Sequence, residues 1–283
     1  MNADRILAMG LRAGAALAGL LMALIFVFML KESALSLREI GVWRFASDAG
    51  WHPTADAGAG RFNLLPMLIG TLLTTVGAIV IAAPLGLLSA LFCRFYAPPV
   101  LGSLYRRLIE LLAGVPSVIY GFWGLVVLVP LIGAWQPPGA SLLAGMLILA
   151  VMILPTVALF ADAALGAVPA DHLRAAAALG LTRGAIITGV LLPAARPGIG
   201  TGLLLAVGRA AGETMAVLMV CGNVVQIPAQ LTEPVRTLTA NIALEMAYAL
   251  GDHRGALYVT GLLLLLLVTL LVGASARLQR AHG

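Results

Sequence analysis

Six stretches of this sequence, roughly residues 11 to 30, 65 to 92, 108 to 132, 140 to 160, 198 to 222 and 255 to 275, are each apolar over the length of a membrane span. The hydrocarbon core of a bilayer is about 30 Å thick and takes about 20 mainly apolar residues of helix to cross. Inside it every backbone N–H and C=O must be satisfied within the chain, which leaves such stretches only the helix. The expectation is an all-α, polytopic membrane protein with six transmembrane helices. Composition excludes a soluble domain: 61% of the 283 residues are hydrophobic and 10% charged, with a mean hydropathy of +1.04, where soluble domains carry about a quarter charged residues. The first stretch follows Arg5 and Arg12, as a signal peptide's core would. Its apolar run is long, however, and no small-residue cleavage site precedes Lys31 and Glu32, so it reads as an uncleaved helix.

Charge sets the orientation. A pI near 9.8 invites nucleic acid as a partner, but the basic residues are scattered through short connections instead of forming one stripe. Arg5, Arg12, Arg94, Arg106, Arg107, Arg174, Arg183, Arg196, Arg277 and Arg280 fall on the side of the termini. Lys31, Arg38, Arg44, Arg61, Arg236 and Arg254 fall on the other, nearly matched there by Glu32, Glu39, Asp48, Asp56, Glu233, Glu245 and Asp252. Ten basic residues against six put both termini in the cytoplasm. The long first external connection, 31 to 64, contains HPTADAGAGRFN and reads as a surface loop without a core of its own. Cys93 and Cys221, the two cysteines, fall at opposite faces, too far apart for a disulfide, and no cysteine metal site is expected. Pro84, Pro116 and Pro155 lie within spans and kink helices, while dense small residues such as those of GVPSVIYGFWG favour close helix packing or bent helices around a pathway.

The connection from about Ala161 to Pro197 is not a flexible linker. Asp171 is placed to cap a helix through Leu179, Gly180 to end it in a left-handed conformation, and Thr182 to cap a second helix running to Leu192 before Pro193. A helix, glycine turn and helix offers a compact knob to a partner's groove, or else an amphipathic hairpin lying on the membrane. The run RAAAALGLTRGAIITGVLLP, Arg174 to Pro193, resembles the EAA signature of the membrane subunits of bacterial ABC importers. Ala175, Ala176, Gly180, Val190, Leu192 and Pro193 fall at matching spacing, and Arg174 departs from it where the family commonly has glutamate. The resemblance implies that Arg174, Ala175, Ala176, Gly180, Arg183 and Pro193 dock an ATPase, with any salt bridge through the glutamate put in doubt.

GTLLTT (70 to 75), GVPSVIYGFWGL (114 to 125), LPAARPGI (192 to 199), GRAAGETMAVLMVCGN (208 to 223) and TLTANIALEM (237 to 246) together resemble the PstC-type membrane subunit of phosphate importers, over about residues 65 to 275. The related PstA-type subunit shares the GET core, and the MAVLMV-x-GN pattern favours the PstC-type. This resemblance implies a MetI-like permease fold of the type I ABC importers. It also implies three kinds of partner: a second, PstA-type permease subunit, ATP-binding subunits and an external phosphate-binding protein. On that reading residues 1 to 64 form an N-terminal transmembrane helix and external loop. Residues 65 to 275 form the permease core, with the coupling segment 161 to 197, and 276 to 283 a cytoplasmic tail.

Within the fifth stretch GRAAGETMAVLMV carries Arg209 and Glu213. An arginine at the centre of a span costs about 2.5 to 3.5 kcal/mol on insertion scales, so it needs a polar cavity or a partner. Residues four apart share a helix face, which lets Glu213 accept from Arg209 while the site is empty. Such a pair either fixes helix packing or forms a way-station for an anion, since the guanidinium fork matches phosphate oxygens. Glu213 could hold the fork or accept the proton-bearing oxygen of hydrogen phosphate. In the resembling family the matching arginine and glutamate are transport-critical, which favours a pathway role for Arg209 and Glu213. Thr71, Thr74, Thr75, Ser117 and Tyr120 are possible pathway hydroxyls, although membrane hydroxyls more often bond their own helix backbone.

No G-x-x-x-x-G-K-[ST] loop occurs, so this chain is not expected to be an enzyme or to bind a cofactor. ATP would be hydrolysed by a partner. The rival readings are a stand-alone anion channel, an ion-coupled secondary transporter, and an ABC permease for another oxyanion. A membrane enzyme is disfavoured, because His52, His172, His253 and His282 all lie outside the spans and no H-E-x-x-H occurs.

Overall fold

The structure is a computed structural model that describes residues 2–53 and 60–281. Along the chain run α1 (Asn2–Ile40), α2 (Arg44–Ser47), the strands β1 (Trp51–His52) and β2 (Arg61–Phe62), α3 (Leu65–Leu91), α4 (Pro99–Ala113), α5 (Ser117–Trp123), α6 (Val129–Trp135) and α7 (Leu142–Ala167). Then follow α8 (Ala170–Ala178), α9 (Arg183–Ile186), α10 (Leu192–Ala211), α11 (Met215–Val220), α12 (Leu238–Glu245) and α13 (Gly251–Ala281). Of three π turns, Gly124–Leu128 and Ile187–Leu191 join helices without interrupting them, and Phe92–Tyr96 ends the helical run that α3 begins, before the extended Ala97.

Six helical runs among the described residues are long and apolar enough to cross a membrane: Leu7–Ile40, Leu65–Tyr96, Ser117–Trp135, Leu142–Ala167, Arg183–Ala211 and Gly251–Ala274. The count agrees with the sequence expectation, while several boundaries differ from it. The first run continues through Ile40, so residues 31–40, expected as the start of an external loop, are helix. The third run starts at Ser117 and not near 108, because Pro116 has no N–H and, with ψ 140°, stands at the cap of α5 instead of continuing the helix before it. Residues 99–113 form instead the separate helix α4. The fifth run starts at Arg183 and ends at Ala211, so Pro193 does not stop a helix. The π turn before it widens the backbone, which accommodates the proline ring and the missing donor at the start of α10. Helix also extends further into the coupling segment than 161 to 197 implies, leaving 168–182 between α7 and the fifth run. Positions counted as a tail are helical through Ala281. Asp56 and the side chains of Arg277 and Arg280, used above for orientation, lie outside the described residues.

The chain divides into two compact units, residues 1–64 with 244–263, and residues 65–243 with 264–283. In the first unit, α1 packs against the start of α13 through Phe28 on Tyr258, edge to face at 5.7 Å. The external connection is not the coreless loop expected. β1 and β2 pair antiparallel, Trp51 opposite Phe62, and Phe45, Trp51, Phe62 and Leu64 are all buried. Trp51 donates its indole N–H to Glu245 Oε2 at 2.7 Å, and His253 Nε2 lies 2.8 Å from the same oxygen. A few aromatic residues thus build a small core that the polar, glycine-rich composition hides.

In the second unit α7 is the central helix: 67% of its most apolar stretch is buried, against 28% or less in the other five runs. Lipid tails are as apolar as leucine, so helices associate by close van der Waals contact, which small residues permit. A Cβ on Gly86 of α3 would sit 2.8 Å from Val157 of α7. Ala78, Ala82, Ile148, Met152, Val157, Ala206, Ala210, Val217 and Val220 share the resulting core. At one end of α7, the N–H groups of Leu142 and Leu143 donate to the carbonyls of Glu233 and Leu231, and Ser141 caps the helix by accepting from Ala144 N.

Candidate functional site

Arg209 stands in the last turn of α10, exposed, about 39 Å along the helical run that begins at Arg183. It is at the end of that helical run and not at its centre. The helix stops two residues later: Gly212 N–H closes onto Gly208 O at 3.1 Å, and Glu213 N–H onto Ala210 O at 3.3 Å. Thr214 then opens α11. Glu213 therefore does not sit one turn above Arg209 on a continuous helix, and among the described residues no ion pair joins the two. Glu213 Oε1 instead accepts the N–H of Ala216 in the first turn of α11 at 3.1 Å. Each charge is thus placed at the helix end that favours it, the guanidinium by the carbonyls closing α10 and the carboxylate by the amides opening α11.

Neighbouring elements hold this break in place. Thr239 donates to Glu213 O at 2.7 Å and lies 2.9 Å from the hydroxyl of Thr237. Leu238 N–H donates to Thr71 Oγ1 at 2.9 Å, tying the start of α12 to α3. A Cβ on Gly121 would lie 2.8 Å from Ala216 Cα, so α5 rests directly on α11. Tyr120 on α5 donates its hydroxyl to Leu112 O at 2.8 Å.

The remaining hydroxyls differ in their surroundings. Thr71 and Thr74 are buried and donate to Met67 O and Gly70 O, both at 2.8 Å, so they serve α3 and its contact with α12. Thr75 is buried with its hydroxyl oxygen unpartnered among the described residues. Ser117 is half-buried at the start of α5. The polar run Arg236 to Asn241, whose TLTAN entered the sequence reading only through the family resemblance, forms a hydrogen-bonded cluster. There Arg236 donates through Nε to Asn223 O at 2.9 Å and through Nη1 to Asn241 Oδ1 at 3.1 Å. The signal that marks it is the density of hydrogen-bonding residues in RTLTAN between apolar neighbours.

At the coupling hairpin, Gly180 has φ +76° and ends the turn after α8, and Thr182 caps α9 by accepting from Ala185 N at 3.3 Å. Asp171 lies in the first turn of α8, where Pro169 holds the cap position. Arg174 pairs with Asp171 at 3.5 Å, both exposed, so its charge is partly answered within its own helix. Ala176 is buried, while Ala175, Gly180, Arg183 and Pro193 are exposed. Leu179 is 81% exposed and Leu181 43%, which makes the tip apolar as well as open.

Residues 82–281 match the family described as binding-protein-dependent transport system inner membrane component. The chain is 35% identical over 288 residues to the phosphate transport system permease protein PstC of Mesorhizobium japonicum, covering 94% of this chain and 86% of that protein. It is 38% identical over 232 residues to the probable ABC transporter permease protein YqgH of Bacillus subtilis, covering 81% and 74%. Among solved structures, an inward-facing MetNI methionine ABC transporter shares its fold with a TM-score of 0.59 at 23% identity, over 78% of this chain and 94% of that chain.

Proposed function

This chain belongs to the binding-protein-dependent transport system inner membrane components, multi-pass permease subunits of ABC importers, and we propose that it conducts inorganic phosphate into the cytoplasm. The observation that carries the proposal is Arg209, an exposed guanidinium at the end of a membrane-spanning run, without a carboxylate partner among the described residues. Its planar fork of donors, permanently charged, matches the oxygens of a tetrahedral anion. The names of the relatives, phosphate transport permeases, support phosphate as that anion.

In this reading the pathway runs between this subunit and a second, similar permease subunit, whose surface covers the exposed face bearing Arg209. An external binding protein delivers the anion. One of two ATP-binding subunits docks on the hairpin tip, where Leu179 and Leu181 flank Gly180, beside Arg174, Ala175 and Pro193, and the other docks on the second permease subunit. This chain binds no cofactor; ATP is consumed by the docked subunits. Both termini and the hairpin face the cytoplasm, as the distribution of basic residues supports. Closure of the ATP-binding dimer pushes the hairpin, which continues directly into the helical run Arg183–Ala211 and so carries the motion to Arg209.

The test is uptake of labelled phosphate and sulfate by the reconstituted complex with its binding protein, comparing wild type with Arg209→Gln. ATP-dependent phosphate uptake that collapses in the variant, with assembly and ATP binding intact, is the expected result. Uptake without ATP would make the chain a channel or an ion-coupled carrier. Preference for sulfate would replace the anion, and unchanged uptake in the variant would reduce Arg209 to a packing residue.

A further inference from the structure

Beside the coupling hairpin is a cleft of about 350 Å³ lined by Arg94, Phe95, Leu173, Arg183, Ile186 and Ile187. Its walls fix its depth. Arg94 and Phe95 lie in the π turn that closes the apolar run Leu65–Tyr96, and Arg183, Ile186 and Ile187 lie in the opening turns of the run Arg183–Ala211. Two runs of 32 and 29 residues end here, and at about 1.5 Å per residue both outlast a hydrocarbon core of about 30 Å, so their ends reach the headgroup region. The charge at the cleft is one-sided. Arg94 and Arg106 share Asp162, at 3.3 and 3.0 Å, and the Arg94 guanidinium rests on Gly166, where a Cβ would come within 2.8 Å of Nη2. Arg183 is exposed and, among the described residues, pairs with no carboxylate. Arg94 and Arg183 thus line the cleft with no carboxylate among its lining residues, and the neighbouring Asp162, shared with Arg106, holds Arg94 in position.

We propose that this cleft binds the headgroup phosphate of an anionic phospholipid, with Arg94 and Arg183 on the phosphate oxygens and the lipid's apolar part along Phe95, Ile186 and Ile187. Basic pockets between helices at the membrane boundary are suited to such headgroups, and guanidinium to phosphate. Four of the six lining side chains are apolar; a free oxyanion would have no use for them, whereas a lipid does. A headgroup held by both arginines bridges the end of one span to the base of the hairpin, so the lipid braces the element that receives the push from the ATP-binding subunits. Arg183 thereby acts behind the docking tip and not on it.

The experiment places the assembled complex in phosphatidylcholine nanodiscs with or without phosphatidylglycerol. Retained lipid is counted by native mass spectrometry, a readout independent of which anion is transported. Wild type and Arg183→Lys are expected to retain phosphatidylglycerol, and Arg183→Gln about tenfold less, the change that follows from losing one charge-assisted contact. Ile186→Trp, which fills the cleft while keeping both arginines, is expected to lose the lipid too. ATP hydrolysis should rise on adding phosphatidylglycerol to wild type and not to Arg183→Gln. Equal retention in all variants would overturn the proposal. So would displacement of the lipid by millimolar inorganic phosphate, which would make this a free-anion site. Loss of the ATP-binding subunits from Arg183→Gln in phosphatidylcholine alone would likewise overturn it, by placing Arg183 in the subunit interface.

Discussion

Arg209 and Glu213 are four residues apart and still do not pair, because the helix that would align them ends between them. The guanidinium is left facing outward and the carboxylate is committed to α11. Arg209→Gln is therefore expected to lower phosphate uptake by about 10- to 100-fold, the loss of one charge-assisted contact of about 1.5 to 3 kcal/mol, with assembly retained in a pull-down of the partner subunits. For Glu213 two substitutions separate charge from capping. Glu213→Gln keeps an oxygen for the Ala216 N–H and should unfold thermally close to wild type. Glu213→Ala removes the acceptor and should lose about 1 kcal/mol. Uptake by the Gln variant then reports the charge alone. The sequence marked both residues as exceptional in a span; it could not show the break, since Gly-Glu-Thr is compatible with continued helix until Thr239 and Ala216 supply partners for Glu213.

Among the elements, the coupling hairpin is the most nearly local structure, and it was the most legible. Gly180 is left-handed and Thr182 caps α9 because the chemistry of each acts within a few residues. Gly180→Ala places a Cβ at φ +76° and is expected to cost the hairpin about 1 to 2 kcal/mol, read as weaker co-purification of the ATP-binding subunits and slower uptake. Leu179→Asp keeps the turn but puts a charge on the exposed apolar tip, and should reduce co-purification further without lowering the thermal stability of this chain. The continuation through Pro193 was not legible, because the proline is accommodated by a π turn that leaves no composition signature. The same applies to the packing of α10 on α7, where a Cβ on Gly198 would lie 2.6 Å from that of Ala164. Gly198→Leu is expected to destabilise by about 1 to 3 kcal/mol through overpacking, measured as a lowered unfolding temperature in detergent.

At the scale of the whole molecule, the six spans, the all-helical class and the family were all readable in the sequence, and the fold agrees with them. The small external core was not, although its consequences are testable. Glu245→Leu leaves the buried indole N–H of Trp51 without its acceptor and is expected to cost about 1 to 3 kcal/mol, seen as faster proteolysis of the 40–64 connection. That pairing joins residues 194 positions apart, and no local pattern announces it. What the sequence by itself determined was the set of helices, because a bilayer demands apolar length and internally satisfied backbone, and both are local properties of a stretch of chain. What only the tertiary structure decided was where helices break, which charges are left without partners, and which polar groups meet. Those outcomes depend on atoms brought together from distant positions, and the free energy of each contact exists only once the packing that makes it has formed.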